Sequence, residues 1–180
     1  AQEEAENRDV TLATGYVNCQ QAKGNSDALA KYGRSINPPR SRVKFPTRGI
    51  SENEYFERVW SVLNEFYDGA IIVLDEVDKL KNDDLLMALS RAGEDGSVNI
   101  PIGVIAVSNK INYRNQMSER TKSSFGHNEF VFEPYDAGQL REILRNRTDA
   151  FVEGSLDEGV IPRAAALSAR EHGDARKAIR

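Results

Sequence analysis

Ile71-Ile72-Val73-Leu74-Asp75-Glu76-Val77-Asp78-Lys79-Leu80 decides how this chain is read. Four branched apolar residues run without a polar break, and two carboxylates follow together. Such a run predicts a strand buried on both faces, as in a parallel sheet. The carboxylates then stand at its carboxyl end, where open α/β sheets bind ligands. One acid there can hold Mg²⁺, directly or through water, while the next orients a water for attack on a phosphate. This is the Walker B pattern, with Asp75 serving the metal and Glu76 the water. The plainer alternative is a strand that ends in a solvated acidic turn.

Composition narrows the field. The 180 residues are 39% hydrophobic, enough for one sizeable core with a small second domain. A net charge of −4 does not mark the chain as a whole as a nucleic-acid binder. One cysteine, Cys19, excludes an intrachain disulfide and reads as a buried strand thiol, not a nucleophile. His127 and His172 are far apart and lack cysteine partners, so no zinc site is readable. No run approaches a membrane span, and the start carries no apolar signal region. The expectation is a soluble cytoplasmic protein. The chain opens on Ala1-Gln2-Glu3-Glu4-Ala5-Glu6 and closes on Ala175-Arg176-Lys177-Ala178-Ile179-Arg180, both helical in pattern without a cap. It therefore reads as an excerpt from a longer protein.

Strand and helix patterns alternate around the opening motif. Val10 to Cys19 contains a strand, and Ser26 to Ile36 a short helix broken by Asn37-Pro38-Pro39-Arg40. Ser51 and Glu54 form a capping box before a broad stripe of Tyr55, Phe56, Val59, Trp60, Val62, Leu63, Phe66 and Tyr67. Asp83 to Ala92 is a further helix, Ile100 to Val107 another buried strand, and Phe130–Phe132 one more candidate strand. From Glu133-Pro134-Tyr135 the pattern becomes helical. Asp136 caps a helix carrying Leu140, Ile143, Leu144 and Phe151, another starts near Pro162, and Asp174 caps a third. The expected fold is α/β: a three-layer parallel-sheet core over residues 1–134, then a small all-helical lid over 135–180.

Further residues fit phosphate chemistry. Asn109 ends the strand after Walker B, where a carboxamide can reach a γ-phosphate or the attacking water. Arg120 precedes the next strand and suits an arginine finger presented to a neighbouring subunit's nucleotide. Arg176, at the start of a lid helix, can sense phosphate from the lid side. Between Lys23 and Arg48 stand seven cations and one acid, Asp27. Such a concentration can bind phosphate backbone in an acidic chain, with prolines stiffening it and Gly49 allowing close approach; otherwise it is a solvated charge run.

Leu74-Asp75-Glu76-Val77-Asp78-Lys79-Leu80, Ser108-Asn109-Lys110, Arg120-Thr121-Lys122-Ser123-Ser124-Phe125 and Gly173-Asp174-Ala175-Arg176-Lys177-Ala178 stand in this order along the chain. They resemble Walker B, sensor 1, arginine finger and sensor 2 of AAA+ ATPases. More narrowly, they are similar to the archaeal replication initiators of the origin recognition complex and cell division control family. Tyr16-Val17-Asn18-Cys19-Gln20 and Glu133-Pro134-Tyr135-Asp136-Ala137-Gly138-Gln139-Leu140-Arg141 match that family's second strand and the start of its lid. The resemblance covers essentially the whole chain.

It implies an ATP-dependent initiator that binds double-stranded origin DNA and works with other initiator or helicase subunits. ATP and Mg²⁺ are the implied cofactors. Glu76, Asn109 and Arg120 would act in hydrolysis; Asp75, Asn109, Tyr135 and Arg176 would hold the nucleotide, with Asp75 at the metal. The basic stretch falls where the initiators carry a DNA-contacting insertion, about residues 23–50, which singles out Arg40, Arg42, Lys44 and Arg48. No G-x-x-x-x-G-K-[ST] occurs in these 180 residues. By the resemblance, the P-loop with its strand and the winged-helix domain belong to other parts of the parent, so the core is incomplete and the piece alone is expected to be inactive. The rival readings are another AAA+ replication ATPase, such as a clamp-loader subunit that would not need the basic stretch, and a non-catalytic DNA-binding or scaffold piece.

Overall fold

The computed structural model describes residues 9–125, 128–152 and 154–179. The helix read into Ala1–Glu6 lies outside them. The chain falls into two compact units, residues 1–129 and 130–180.

Three parallel strands organise the first unit: β1 (Leu12–Asn18), β2 (Gly69–Asp75) and β3 (Ile102–Ala106), in that spatial order. The register pairs Asn18 with Asp75 and Leu74 with Ala106, so all three strands end at one rim. The connections are helical, as parallel neighbours require. They are α1 (Asn25–Ile36), α2 (Glu52–Phe66) and α3 (Asp84–Arg91). Two short helices, α4 (Tyr113–Gln116) and α5 (Glu119–Ser124), follow β3.

One sheet face carries Ala13, Val17, Ile72 and Leu74, packed in a single core with Leu29, Tyr32, Val59, Leu63 and Leu86 from the helices. Burial on both faces, expected from the apolar runs, holds for this face only. On the opposite face Tyr16 is 59% and Ile105 52% exposed. The helices of the first unit contribute their apolar stripes to one side of the sheet, so the alternate residues of each strand are left partly solvated.

Ser51 caps α2 by accepting from the Glu54 N–H. The reciprocal half of the expected box is replaced, because the Glu54 carboxylate turns to Arg58 at 2.7 Å. The stripe on α2 is core as read, with Tyr55, Val59, Val62 and Leu63 buried and Phe56 stacked on Trp60.

The strand expected at Phe130–Phe132 does not form. A parallel strand is stable only where a neighbour completes its ladder. The described ladders join β1 to β2 and β2 to β3, and Phe130 and Phe132 are 81% and 93% exposed.

The second unit contains α6 (Ala137–Arg145), α7 (Val160–Glu171) and α8 (Ala175–Ala178). Asp136 caps α6 in a full capping box with Gln139. Phe151, read as part of that helix, instead follows a single 3-10 turn beyond it and is exposed. α6 packs on α7, and Leu140 of the first and Ala165 of the second are fully buried. Gly173 takes φ +59°, and a side chain there would strike Pro134 at 2.5 Å.

Gly33, in the middle of α1, offers a test of the packing. Alanine is normally favoured over glycine in a helix by about 1 kcal/mol. Here a Cβ would lie 2.2–2.6 Å from the buried Phe45 ring. Gly33→Ala is therefore expected to lower stability, by about 1–3 kcal/mol for overpacking a closed site. Urea unfolding checks the sign; a gain in stability would show that Phe45 is not held there.

Candidate functional site

The Asp75 and Glu76 carboxylates lie at the rim where the strands end. β2 delivers Asp75, and Glu76 turns the chain through a left-handed conformation with φ 53° and ψ 42°. A non-glycine residue pays about 1–2 kcal/mol for that conformation. The turn sets two successive carboxylates at the same rim, whereas an extended strand would send them to opposite faces. The Asp75 carboxylate accepts from the Tyr16 hydroxyl at 2.5 Å through Oδ2 and from the Glu76 N–H at 2.9 Å through Oδ1. The bond to Asp75 also raises the Tyr16 phenol above its ordinary value.

Three carboxamides surround Glu76. Asn18, register partner of Asp75, donates to Oε2 at 3.2 Å. Gln20, with its nitrogen turned inward, donates to Oε2 at 2.7 Å and Oε1 at 3.2 Å. Asn109 approaches Oε1 at 3.5 Å from beyond β3, the outer limit of a hydrogen bond. The first two donors come from the end of β1, so all three strands contribute to one carboxylate. Asn18 and Gln20 were not among the expected site residues. Their signal was two polar side chains at alternate positions just past an apolar strand.

Behind this ring lies Asp78, in the 3-10 turn Val77–Lys79, with its side chain only 1% exposed. Burial alone would raise its carboxyl. The Ser108 hydroxyl at 3.1 Å, the Lys79 ammonium and the Asn109 N–H outweigh burial and hold it below the usual carboxylate range. The backbone is pinned too, with Val77 N–H donating to the Val107 carbonyl at 3.0 Å and Val107 N–H to Leu74 at 2.8 Å. Cys19 is fully buried beside the ring, and burial pushes its thiol up to about 11. That fits a packed thiol and not a nucleophile.

Asp75, Glu76 and Asn109 are thus brought together. Arg120 stands apart on α5, exposed to solvent, on a helix anchored by Ser118 N–H to Asp83 at 2.6 Å and by fully buried Thr121. Tyr135 and Arg176 belong to the second unit. The Tyr135 N–H donates to the Gly173 carbonyl at 2.9 Å. Asp174 then accepts from the Arg176 and Lys177 N–H groups at 2.8 and 3.4 Å. The Tyr135 and Arg176 side chains are both exposed.

Arg40, Arg42, Lys44 and Arg48 all project from the loop between α1 and α2 and are exposed. Among the described residues none of the four lies within ion-pair distance of a carboxylate. The loop between them is fixed. Phe45 is buried against Gly33, Arg34 donates to the Phe45 carbonyl at 3.0 Å, and Tyr55 hydroxyl donates to Pro46 at 2.5 Å. Arg58 donates to the Lys44 carbonyl at 2.5 Å, and the Arg40 guanidinium lies over the Phe66 ring at 5.1 Å. Prolines were expected to stiffen this segment; the larger anchor is Phe45, which the charge pattern concealed.

The donor set suits a hard cation and a polarised water. Each Asp75 oxygen accepts one hydrogen bond and keeps further acceptor capacity, as Mg²⁺ or its water ligands require. Among the described residues, no group of three or more His, Cys, Asp or Glu forms a metal cage. A single carboxylate beside a phosphate-borne Mg²⁺ needs none. Among the same residues, no helix is long and apolar enough to cross a membrane.

Comparison with known proteins follows the same lines. The chain is 87% identical over all 180 residues to ORC1-type DNA replication protein 17 of Haloarcula marismortui, covering 45% of that protein. It is 46% identical to ORC1-type DNA replication protein 4 of Halobacterium salinarum, over 94% of this chain and 42% of that one. The chain thus spans less than half the length of these relatives. Among solved structures, the Aeropyrum pernix ORC1 protein in complex with DNA superposes with TM-score 0.81 at 34% identity, covering 99% of this chain and 45% of that chain. Cdc6p from Pyrobaculum aerophilum gives TM-score 0.78 at 25% identity, covering 99% and 48%. Residues 141–180 match the model of the Cdc6 AAA+ ATPase-type lid domain. With a parallel α/β core that ends in an acid pair and a helical unit carrying the lid signature, the chain belongs to the ORC1/Cdc6-type family of AAA+ proteins.

Proposed function

We propose that the parent protein is an ATP-dependent replication initiator that binds duplex origin DNA and uses ATP binding and hydrolysis as its conformational switch. The observation that carries this reading is the Glu76 carboxylate ringed by Asn18, Gln20 and Asn109 beside Asp75. A solvated acidic turn has no need of three convergent carboxamides. MgATP, when bound, supplies the scissile phosphoanhydride and the cation. Asp75 faces the cation, with Tyr16 and the Glu76 N–H fixing its carboxylate plane. Glu76 orients the attacking water and takes its proton, and Asn18 and Gln20 hold the carboxylate in one rotamer. Asn109, whose contact with Glu76 is the longest of the ring, is the carboxamide that would face the water or the γ-phosphate.

Arg120 is exposed on its anchored helix, which suits a charge offered to a neighbouring subunit and not to its own site. Tyr135 and Arg176 offer a lid-side contact to the nucleotide. The fixed loop between α1 and α2, with Arg40, Arg42, Lys44 and Arg48, offers its charges to phosphate backbone; duplex binding as such is supported by the likeness to the Aeropyrum pernix ORC1 protein in complex with DNA. Other initiator or helicase subunits are the partners of this switch, and the cytoplasm is its place of action.

The experiment that tests this reading is ATP turnover by full-length parent protein carrying Arg120→Ala, alone and mixed with the Glu76→Gln variant. Loss of one arginine finger is expected to cut turnover at least about tenfold, with ATP binding kept. Mixing should restore part of the activity, because each variant supplies what the other lacks. Wild-type turnover in Arg120→Ala would remove it from the mechanism, and failure of the parent to bind ATP would end the ATPase reading. These 180 residues alone, in which no G-x-x-x-x-G-K-[ST] occurs, are expected to show no ATP-dependent thermal shift.

A further inference from the structure

We infer that Asp78 is a positioning residue that holds Asn109 in place opposite Glu76, so that turnover depends on a carboxylate that does not itself face the nucleotide. The inference rests on the roles proposed above for Glu76 and Asn109. Asn109 is exposed, and its side chain meets Glu76 only at 3.5 Å. That contact alone cannot fix a loop side chain. Both residues flanking Asn109 are fixed instead, and both lead to Asp78. The Ser108 hydroxyl donates to Asp78 Oδ1 at 3.1 Å and accepts from the Lys110 N–H at 3.0 Å. The Lys110 ammonium stands 4.0 Å from Asp78 Oδ2, across from Lys79 at 3.6 Å.

This is a costly way to build a turn. Asp78 Oδ2 is sealed from solvent and has no hydrogen-bond partner, only the two offset ammonium groups. Burying a charge with incomplete pairing is unfavourable, and an apolar side chain of similar volume is often no less stable there. What an apolar side chain cannot do is grip Ser108 and Lys110 at once. The grip joins the turn after β2 to the loop after β3, which are the two segments that carry Glu76 and Asn109. Small misplacements of such a pair have large consequences for rate.

The test uses full-length parent protein and a double-mutant cycle between Asp78→Ala and Asn109→Ala. Each single variant is expected to lower kcat about tenfold or more, with ATP affinity within about threefold of wild type. In the double variant kcat should fall no further than about twofold below Asn109→Ala, because Asp78 acts through Asn109. Asp78→Asn, which keeps an acceptor for Ser108, should recover part of the loss. Should Asp78→Ala fail to fold, Ser108→Ala enters the same cycle, with the same non-additivity expected. Losses that multiply in the double variant, or an unchanged kcat in Asp78→Ala or Asn109→Ala, would overturn the inference. Unchanged turnover in Glu76→Gln would instead overturn the reading beneath it, so the two failures are distinguishable.

Discussion

Glu76→Gln in the full-length parent is expected to abolish most ATP turnover while leaving ATP binding intact. Glutamine preserves the size of the side chain and one of its acceptor oxygens. It removes the negative charge that orients the attacking water and takes its proton. The surroundings sharpen the expectation. Asn18, Gln20 and Asn109 present amide donors to both carboxylate oxygens, and a glutamine must offer its own NH₂ to one of them. At least one of those contacts turns repulsive, so the ring is disordered as well as neutralised. Turnover should fall at least about tenfold, equivalent to roughly 1.4 kcal/mol in the barrier. Steady-state turnover and equilibrium ATP binding on the same preparation check both halves. Unchanged turnover would remove Glu76 from the chemistry.

Neutralising Arg40, Arg42, Lys44 and Arg48 together is expected to weaken duplex binding by the parent at least about tenfold, or roughly 1.4 kcal/mol. The loop is pinned at Phe45, Pro46 and Lys44 by main-chain contacts that these substitutions leave in place. The weakening should therefore report charge and not unfolding, except at Arg40, whose guanidinium also packs on Phe66. Every DNA phosphate that is no longer neutralised should lower the log–log salt slope by up to about 0.9, so four would lower it by up to about 3.6. ATP turnover without DNA should change little. A DNA-specific defect also separates an initiator from a clamp-loader-type protein, for which this loop has no required role. Wild-type affinity and salt slope would reduce the loop to a solvated face.

The elements that the sequence reveals most clearly are those governed by local rules. Leu74-Asp75-Glu76 was legible because an apolar run and an abrupt acid pair are local events, and the helix of Tyr55 to Phe66 because its stripe repeats at helical spacing. The caps at Ser51, Asp136 and Asp174 were legible for the same reason, although Glu54 chose Arg58 over its box. Phe130–Phe132 was misread because an apolar triplet specifies a strand only if a neighbour supplies the ladder. Asn18 and Gln20 were hidden because their role depends on which strand lies beside Walker B, a fact of register and not of composition. Asp78 stands within the same motif, but its task is not legible there. Its partners Ser108 and Lys110 are some 30 residues away, and only the fold brings them near.

The acid pair Asp75 and Glu76 is proposed to serve ATP hydrolysis in a nucleotide-switched initiator. The most direct test is the identity of the nucleotide held by the full-length protein after incubation with MgATP, wild type beside Glu76→Gln. Mainly ADP is expected on the wild type and intact ATP on the variant. The same ATP-to-ADP ratio on both proteins, or no retained nucleotide on either, would contradict that role.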